Sequence, residues 1–283
     1  MDKKTETFRP TLFESTLIAS NIPYELALVL VAVFVGPLGN FLYLYSVSNN
    51  ALRSFYGTFI SMNAGESGFI AAIQSNWYSF AGNVLWYAFL FYVAFIVRLL
   101  RMRLIKAEPE LVSLAPKGEE TISEIFKIVS NAIPQLVIMA VFLIVYATAV
   151  PDLMSRGELT AFSTPVYILR SLIRSLMFGS VLWLCCGSLL GLYSFGKQSL
   201  RLKSYREDLM LGTKRLGSLS FSFSSVYFLG LALFAAQMIL GGLAGQTSIV
   251  NVIAILVLVP AGMVLFIAPL MSTHNRMVEV KKA

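Results

Sequence analysis

Six stretches of this chain are apolar for close to the ~20 residues that a helix needs to cross a hydrocarbon layer of about 30 Å, and this bunching limits the fold before any other feature does. In lipid every backbone N–H and C=O must be satisfied within the chain, which favours helices over open strands. The expected fold is therefore all-α: a polytopic helical membrane protein, one integral membrane domain over residues 1–283, with about six transmembrane helices and short interfacial amphipathic helices. The spans are read at 26–47, 80–102, 132–150, 172–195, 218–240 and 249–270. Only 13% of residues are charged and 57% are hydrophobic, whereas a soluble domain carries charge on roughly a quarter of its residues.

Between the first two spans, residues 51–75 form an interfacial or re-entrant segment in this reading. Glu66 would be costly inside a bilayer, and Phe55, Tyr56, Phe59, Trp77 and Tyr78 suit an aromatic belt at its boundary. Full insertion would make a seventh span. Residues 11–20 (TLFESTLIAS) read as a short interfacial helix, and Gly36, Pro37 and Gly39 as a kink or close-packing point inside the first span. That span follows a charged leader without a cleavage-like site and reads as retained. In the linker 107–131, Ile122, Ile125, Phe126 and Val129 keep helical spacing against Glu119, Glu120, Glu124 and Lys127, which predicts an amphipathic helix. A short polar loop is expected over 151–165, and a tight hairpin through GGLAGQTS between the last two spans.

Basic residues choose the orientation. With six spans and the N-terminus inside, one side receives three basic residues before the first span, six from Arg98 to Lys127, six from Lys197 to Arg215 and three after the last span, 18 of the 22. Arg53, Arg156, Arg170 and Arg174 are the remainder. The positive-inside rule then places both termini in the cytoplasm, with the plasma membrane as the expected location. The net charge of +7 reflects these flanks, and no nucleic-acid motif accompanies it, so nucleic acid is not expected as a partner.

Motifs for catalysis are missing: there is no HExxH, no P-loop, no dinucleotide fingerprint and no intramembrane protease pattern. His274 is the single histidine, and the adjacent Cys185 and Cys186 offer no metal-ligand spacing. No catalytic residue, metal or cofactor is therefore expected. The central stretches of the six spans hold no Asp, Glu or Lys, which lowers the expectation of ion coupling. Asn40, Asn83, Gln135, Gln237 and Asn251 can line a neutral path or, more commonly, bond between helices.

Two groups of charges remain as candidates. Arg170 and Arg174, one helical turn apart on one face, can contact an anion or a lipid phosphate, against the plainer reading of snorkelling or pairing with Asp152 or Glu158. Arg98, Arg101, Arg103, Lys197, Arg201, Lys203 and Arg206 form a candidate basic cytoplasmic face toward the lipid bilayer or a protein partner. Gly187 and Gly191, and Gly241 and Gly245, allow close helix packing or a homo-oligomer, and Ser218, Ser220, Ser222 and Ser224 read as helical serines against a neighbour. The functional expectation is a non-enzymatic sensor or membrane subunit of a complex. The alternative is a channel or uniporter for ions or small solutes, with anions favoured by the arginine pair.

Overall fold

A computed structural model describes residues 8–39, 41–42, 77–148, 150–155, 159–161, 163–201, 214–243, 256–264, 266–268, 271, 274–275 and 278. Among these residues the secondary structure is helical throughout, without strands. The helices are α1 (Leu12–Ala19), α2 (Tyr24–Val33) running into a π-helical turn (Phe34–Leu38), α3 (Trp77–Leu114), α4 (Glu119–Phe126), α5 (Ala132–Ala147), α6 (Val150–Ser155), α7 (Ser163–Gly196), α8 (Lys214–Leu243) and α9 (Leu256–Ala268). The segment 51–75, residues 244–248 of the GGLAGQTS connection, Lys203 and Arg206 lie outside the described residues, and the first three residues of that connection end α8.

Among the described residues three helices are long and apolar enough to cross a membrane: α3, α7 and α8. A fourth is counted if α1 and α2 with its π turn, bent by 109°, make one span. This is fewer than the six expected from the sequence. The shortfall lies in α5, with 16 residues, and α9, which belong to the shorter apolar helices. A helix of that length reaches about 24 Å. The cause in α5 is local: the Asn131 side chain accepts from the Ile133 amide and starts the helix there, and Thr148 ends it. Hydropathy counts apolar residues without regard to such caps.

Elsewhere helices run past their apolar stretch. The second span was expected to end at 102, but α3 continues through the basic cluster to Leu114, 38 residues in all. Leu104, Ala107, Leu111 and Leu114 are buried at three- and four-residue spacing, while Arg103, Lys106 and Glu110 are exposed. An amphipathic continuation therefore replaces the expected linker, and Pro109 is tolerated within it. A turn through Gly118, at φ +61°, leads into α4, where the predicted amphipathic helix appears with Ile122 and Phe126 fully buried. Likewise α7 begins at Ser163, earlier than expected. Thr160 and Ser163 cap one another, Thr160 N donating to Ser163 Oγ (2.6 Å) and Ser163 N to Thr160 Oγ1 (3.1 Å).

Side-chain contacts give the helix directions. Trp86 and Phe89 of α3 meet Phe178 of α7, and Arg174 of α7 lies over Trp86, so α3 and α7 run parallel. On α7, Gly191 faces Phe126, Gly187 faces Val129 and Gly179 faces Gln135, so α7 runs antiparallel to the α4–α5 arm. In α8, Tyr92 Oη donates to the Val226 carbonyl (2.6 Å) and Phe89 meets Phe234, antiparallel to α3. Glu25 lies against Arg98 and Gly36 against Tyr87, which makes α2 antiparallel to α3 as well. Taken along the chain, α2, α3, α5, α7 and α8 thus alternate in direction, as successive crossings require.

The glycines on α7 pack within the chain. Ideal Cβ atoms at Gly179, Gly187 and Gly191 would lie 2.8 Å from Gln135 O, 3.4 Å from the Val129 Cα and 2.9 Å from Phe126 Cε1. On α8, Ser220 and Ser224 are buried one turn apart, as helical serines against a neighbour should be.

These distances predict a graded series. Gly179→Ala, which drives a methyl against fixed backbone, destabilises the fold by about 1–3 kcal/mol, whereas Gly187→Ala leaves the unfolding midpoint in detergent nearly unchanged. Equal midpoints for the two variants would contradict this packing.

Candidate functional site

The most unusual geometry lies where the first apolar run breaks. Pro37 has no amide hydrogen, so the Val33 carbonyl loses its helical donor. Gly36 leaves the helical region (φ −90°, ψ −110°), and the Gly39 amide bonds back to the carbonyls of Gly36 and Phe34. In a regular helix that amide would serve Val35. Its redirection leaves the Val35 carbonyl without that α-helical bond inside an apolar body, where an unsatisfied polar group is costly.

Both candidate arginines of α7 answer this need. Arg174 Nη2 donates to Val35 O at 2.7 Å, and Arg170 Nη2 reaches the same oxygen at 3.4 Å. Arg170 Nη1 also donates to Gly39 O at 3.1 Å. With the helix starting at Ser163, these residues sit roughly two and three turns inside it, beyond the approach position expected for them. Arg170 is buried at 8% exposure, which rules out simple snorkelling for this side chain. The suggested partners, the Asp152 side chain and Glu158, lie outside the described residues.

Aromatic groups complete the surroundings. The Arg174 guanidinium lies 5.6 Å from the Trp86 ring centroid, a cation–π distance. Tyr87, Tyr146 and Tyr167 face Arg174, and Tyr167 Oη donates to the Tyr146 carbonyl (2.7 Å). Among the described residues no carboxylate lies within ion-pair distance of Arg174. Its Nε is buried without a hydrogen-bond partner there. Two guanidinium groups thus converge on one carbonyl oxygen inside a partly aromatic surround. Sequence reasoning paired the arginines but missed Trp86, Tyr146 and the Val35 carbonyl. The available signal was the Gly-Pro step, which frees carbonyls that some donor must meet.

Within the candidate basic face, Arg98, Arg101 and Arg201 also make contacts inside the chain. Arg101 Nε donates to Glu14 Oε1 at 2.9 Å, and Glu14 is fully buried. The other Glu14 oxygen accepts from Thr11 in a capping box at the start of α1. Arg98 pairs with Glu25 and lies 4.5 Å over the Tyr24 ring. Arg201 ties the exit of α7 to the α3–α4 turn through its amide on Leu114 O (2.8 Å) and its Nη2 on Pro116 O (2.6 Å). Lys197 lies 4.2 Å over the Tyr193 ring, and Arg103 is exposed.

Gln135, read as a pore or interhelical residue, takes the interhelical role. Its Oε1 accepts from Leu12 N (3.0 Å) and Ser180 Oγ (3.1 Å), and Ser180 Oγ accepts from Phe13 N (3.2 Å). The free amides at the start of α1 are thereby satisfied by α5 and α7. The expected interfacial helix is thus wedged between its neighbours, with Phe13, Glu14 and Leu17 buried. Among the described residues no three His, Cys, Asp or Glu side chains gather as a metal site would require.

The clamp makes a measurable coupling. A methyl at Gly39 would meet both the Phe34 carbonyl and Arg170 Cδ (2.7 Å), so Gly39→Ala and Arg170→Gln each destabilise by about 1.5–3 kcal/mol and share the Arg170 part of that cost. The double variant should lose clearly less than the sum of the two in a thermal or denaturant cycle, and strict additivity would show that the contact is unimportant. The chain matches no protein-family model, no curated protein and no solved structure.

Proposed function

We propose that this chain is a six-span, non-enzymatic integral membrane protein of the plasma membrane, with both termini in the cytoplasm, that works as a sensor or as the membrane subunit of a complex. The interrupted first helix, held by Arg170 and Arg174, is the observation that carries this reading. Trp86, which lies against Arg174, precedes Arg98 on α3 by twelve residues, or about 18 Å along the axis. With Arg98 and Glu25 at the inner boundary, the clamp stands well within the hydrocarbon layer. Irregular backbone and ionisable side chains at that depth are expensive and belong to working parts of membrane proteins. A helix broken at a π turn and latched by side chains is also an element with two available arrangements, which a sensor requires. The alternating directions of α2, α3, α5, α7 and α8 support successive crossings that include α5, and the basic flanks support the orientation.

Two measurements test this. Cysteines introduced as Lys4→Cys and Lys281→Cys should react with a charged thiol reagent only from the cytoplasmic side, and labelling from outside would reverse or discard the topology. Spin labels at Leu38→Cys and Val84→Cys, both exposed positions, should report a second distance, displaced by about 5 Å, when bilayer thickness or a bound partner changes. One invariant distance, with no co-purifying partner, would remove the sensor and subunit reading.

The same arginine pair favours a second reading, a channel or uniporter for anions, because a pore needs no coupling acids. In proteoliposomes, an anion-selective reversal potential that shifts in the Arg170→Gln/Arg174→Gln protein would establish it. A silent preparation would leave the first reading in place.

A further inference from the structure

We infer that Arg103 and Lys106 hold the headgroup of an anionic phospholipid of the inner leaflet, whose acyl chains run along Phe95, Leu99 and Met102 of the same helix face. The inference rests on the orientation proposed above and deepens it, since it names the partner of the cytoplasmic basic face. At about 100° per residue, Val84, Phe95, Leu99, Met102 and Lys106 fall within one narrow stripe of α3, and Arg103 borders it. All six are exposed, while Leu100 and Leu104 on the opposite side are buried. From Val84 to Met102 the stripe is apolar, and it turns basic in the next turn of the same unbroken helix. A single uncovered face thus presents first the surface that acyl chains wet and then the cations that a phosphate seeks.

The two cations are also uncommitted. Arg98 and Arg101 are turned to Glu25 and Glu14, but neither Arg103 nor Lys106 has an ion-pair partner among the described residues. Their depth suits a headgroup. Arg103 and Lys106 follow Arg98 by five and eight residues, about 7 and 12 Å along the axis. Side chains on a helix lean toward its N-terminus, which for α3 is the membrane end, so both heads reach back into a headgroup layer about 5–8 Å deep. The planar guanidinium fits two oxygens of one phosphate, and the ammonium adds a point charge beside it. Glu110, the next charge on this face, stands a further turn out, clear of the phosphate.

The test places full-length protein in vesicles of phosphatidylcholine and reads lipid binding locally. A fluorophore on Ala88→Cys, an exposed position on the same stripe, is quenched by phosphatidylglycerol or phosphatidylcholine that carries a nitroxide near the chain end, each at increasing mole fraction. A basic side chain beside an anionic headgroup is worth roughly fivefold in affinity. The expected preference for phosphatidylglycerol is therefore on the order of twentyfold, falling to roughly fivefold in Arg103→Gln or Lys106→Gln and to none in the double variant. Both side chains are exposed, so these variants fold as the wild type does. Lys117→Gln removes an exposed charge at the far end of the lobe and leaves the preference unchanged. A wild-type preference below fivefold, one that survives in the double variant, or one that Lys117→Gln lowers equally, overturns the site. A protein that co-purifies with the wild type and not with the double variant, in the absence of a lipid preference, gives the face to that protein and likewise overturns it. Labelling of Lys4→Cys separates the two levels: cytoplasmic labelling without a lipid preference removes the site alone, and labelling from outside removes the orientation on which it rests.

Discussion

A backbone carbonyl that has lost its amide must find another donor when no water is at hand, and much of this molecule is arranged around that requirement. Val35 is the central case. The Gly36–Pro37 step breaks the first helix, the Gly39 amide turns away, and two arginines from another helix supply the missing donors. A similar need governs α1, whose first amides are met by Gln135 and Ser180. Arg170, Arg174, Gln135 and Ser180 thus all serve backbone groups of another segment.

Charges follow the same economy. Glu14 is buried because Arg101 and the capping box with Thr11 satisfy both of its oxygens. Removing one member of such a pair is more harmful than the pair is beneficial, since it strands a charge in a poor solvent. Arg98 and Arg201 are likewise committed to Glu25 and to the α3–α4 turn. Some of the basic residues beside the apolar runs thus have structural partners within the chain, while Arg103 stays exposed.

The helical class and the break near Pro37 were legible because they depend on hydropathy, glycine and proline, which act locally. The amphipathic stretch around Ile122 and Phe126 was legible for the same reason. Helix ends were harder: α3 passes straight through its basic cluster because Leu104, Ala107 and Leu111 keep one face apolar, and α7 gains its early start from two hydroxyls, Thr160 and Ser163. The candidate site was half legible. Arg170 and Arg174 stood out as charges, but their acceptor lies more than 130 residues away in the chain, and nothing in local spacing joins a carbonyl at position 35 to a guanidinium at 174. Gly187 and Gly191 show the converse, a spacing compatible with self-association that is used against Phe126 and Val129 of the same chain.

The length of α3 carries a mechanical consequence. As one helix of 38 residues it measures about 57 Å, nearly twice the thickness of a hydrocarbon layer. One end holds Trp86 against the arginine clamp, and the other carries Leu111 and Leu114 into the packing with α4 and the exit of α7. One helix thus joins the arginine clamp to the packing around α4, and Pro109, which cannot donate to the carbonyl four residues earlier, is the place along it where the two parts can bend relative to each other.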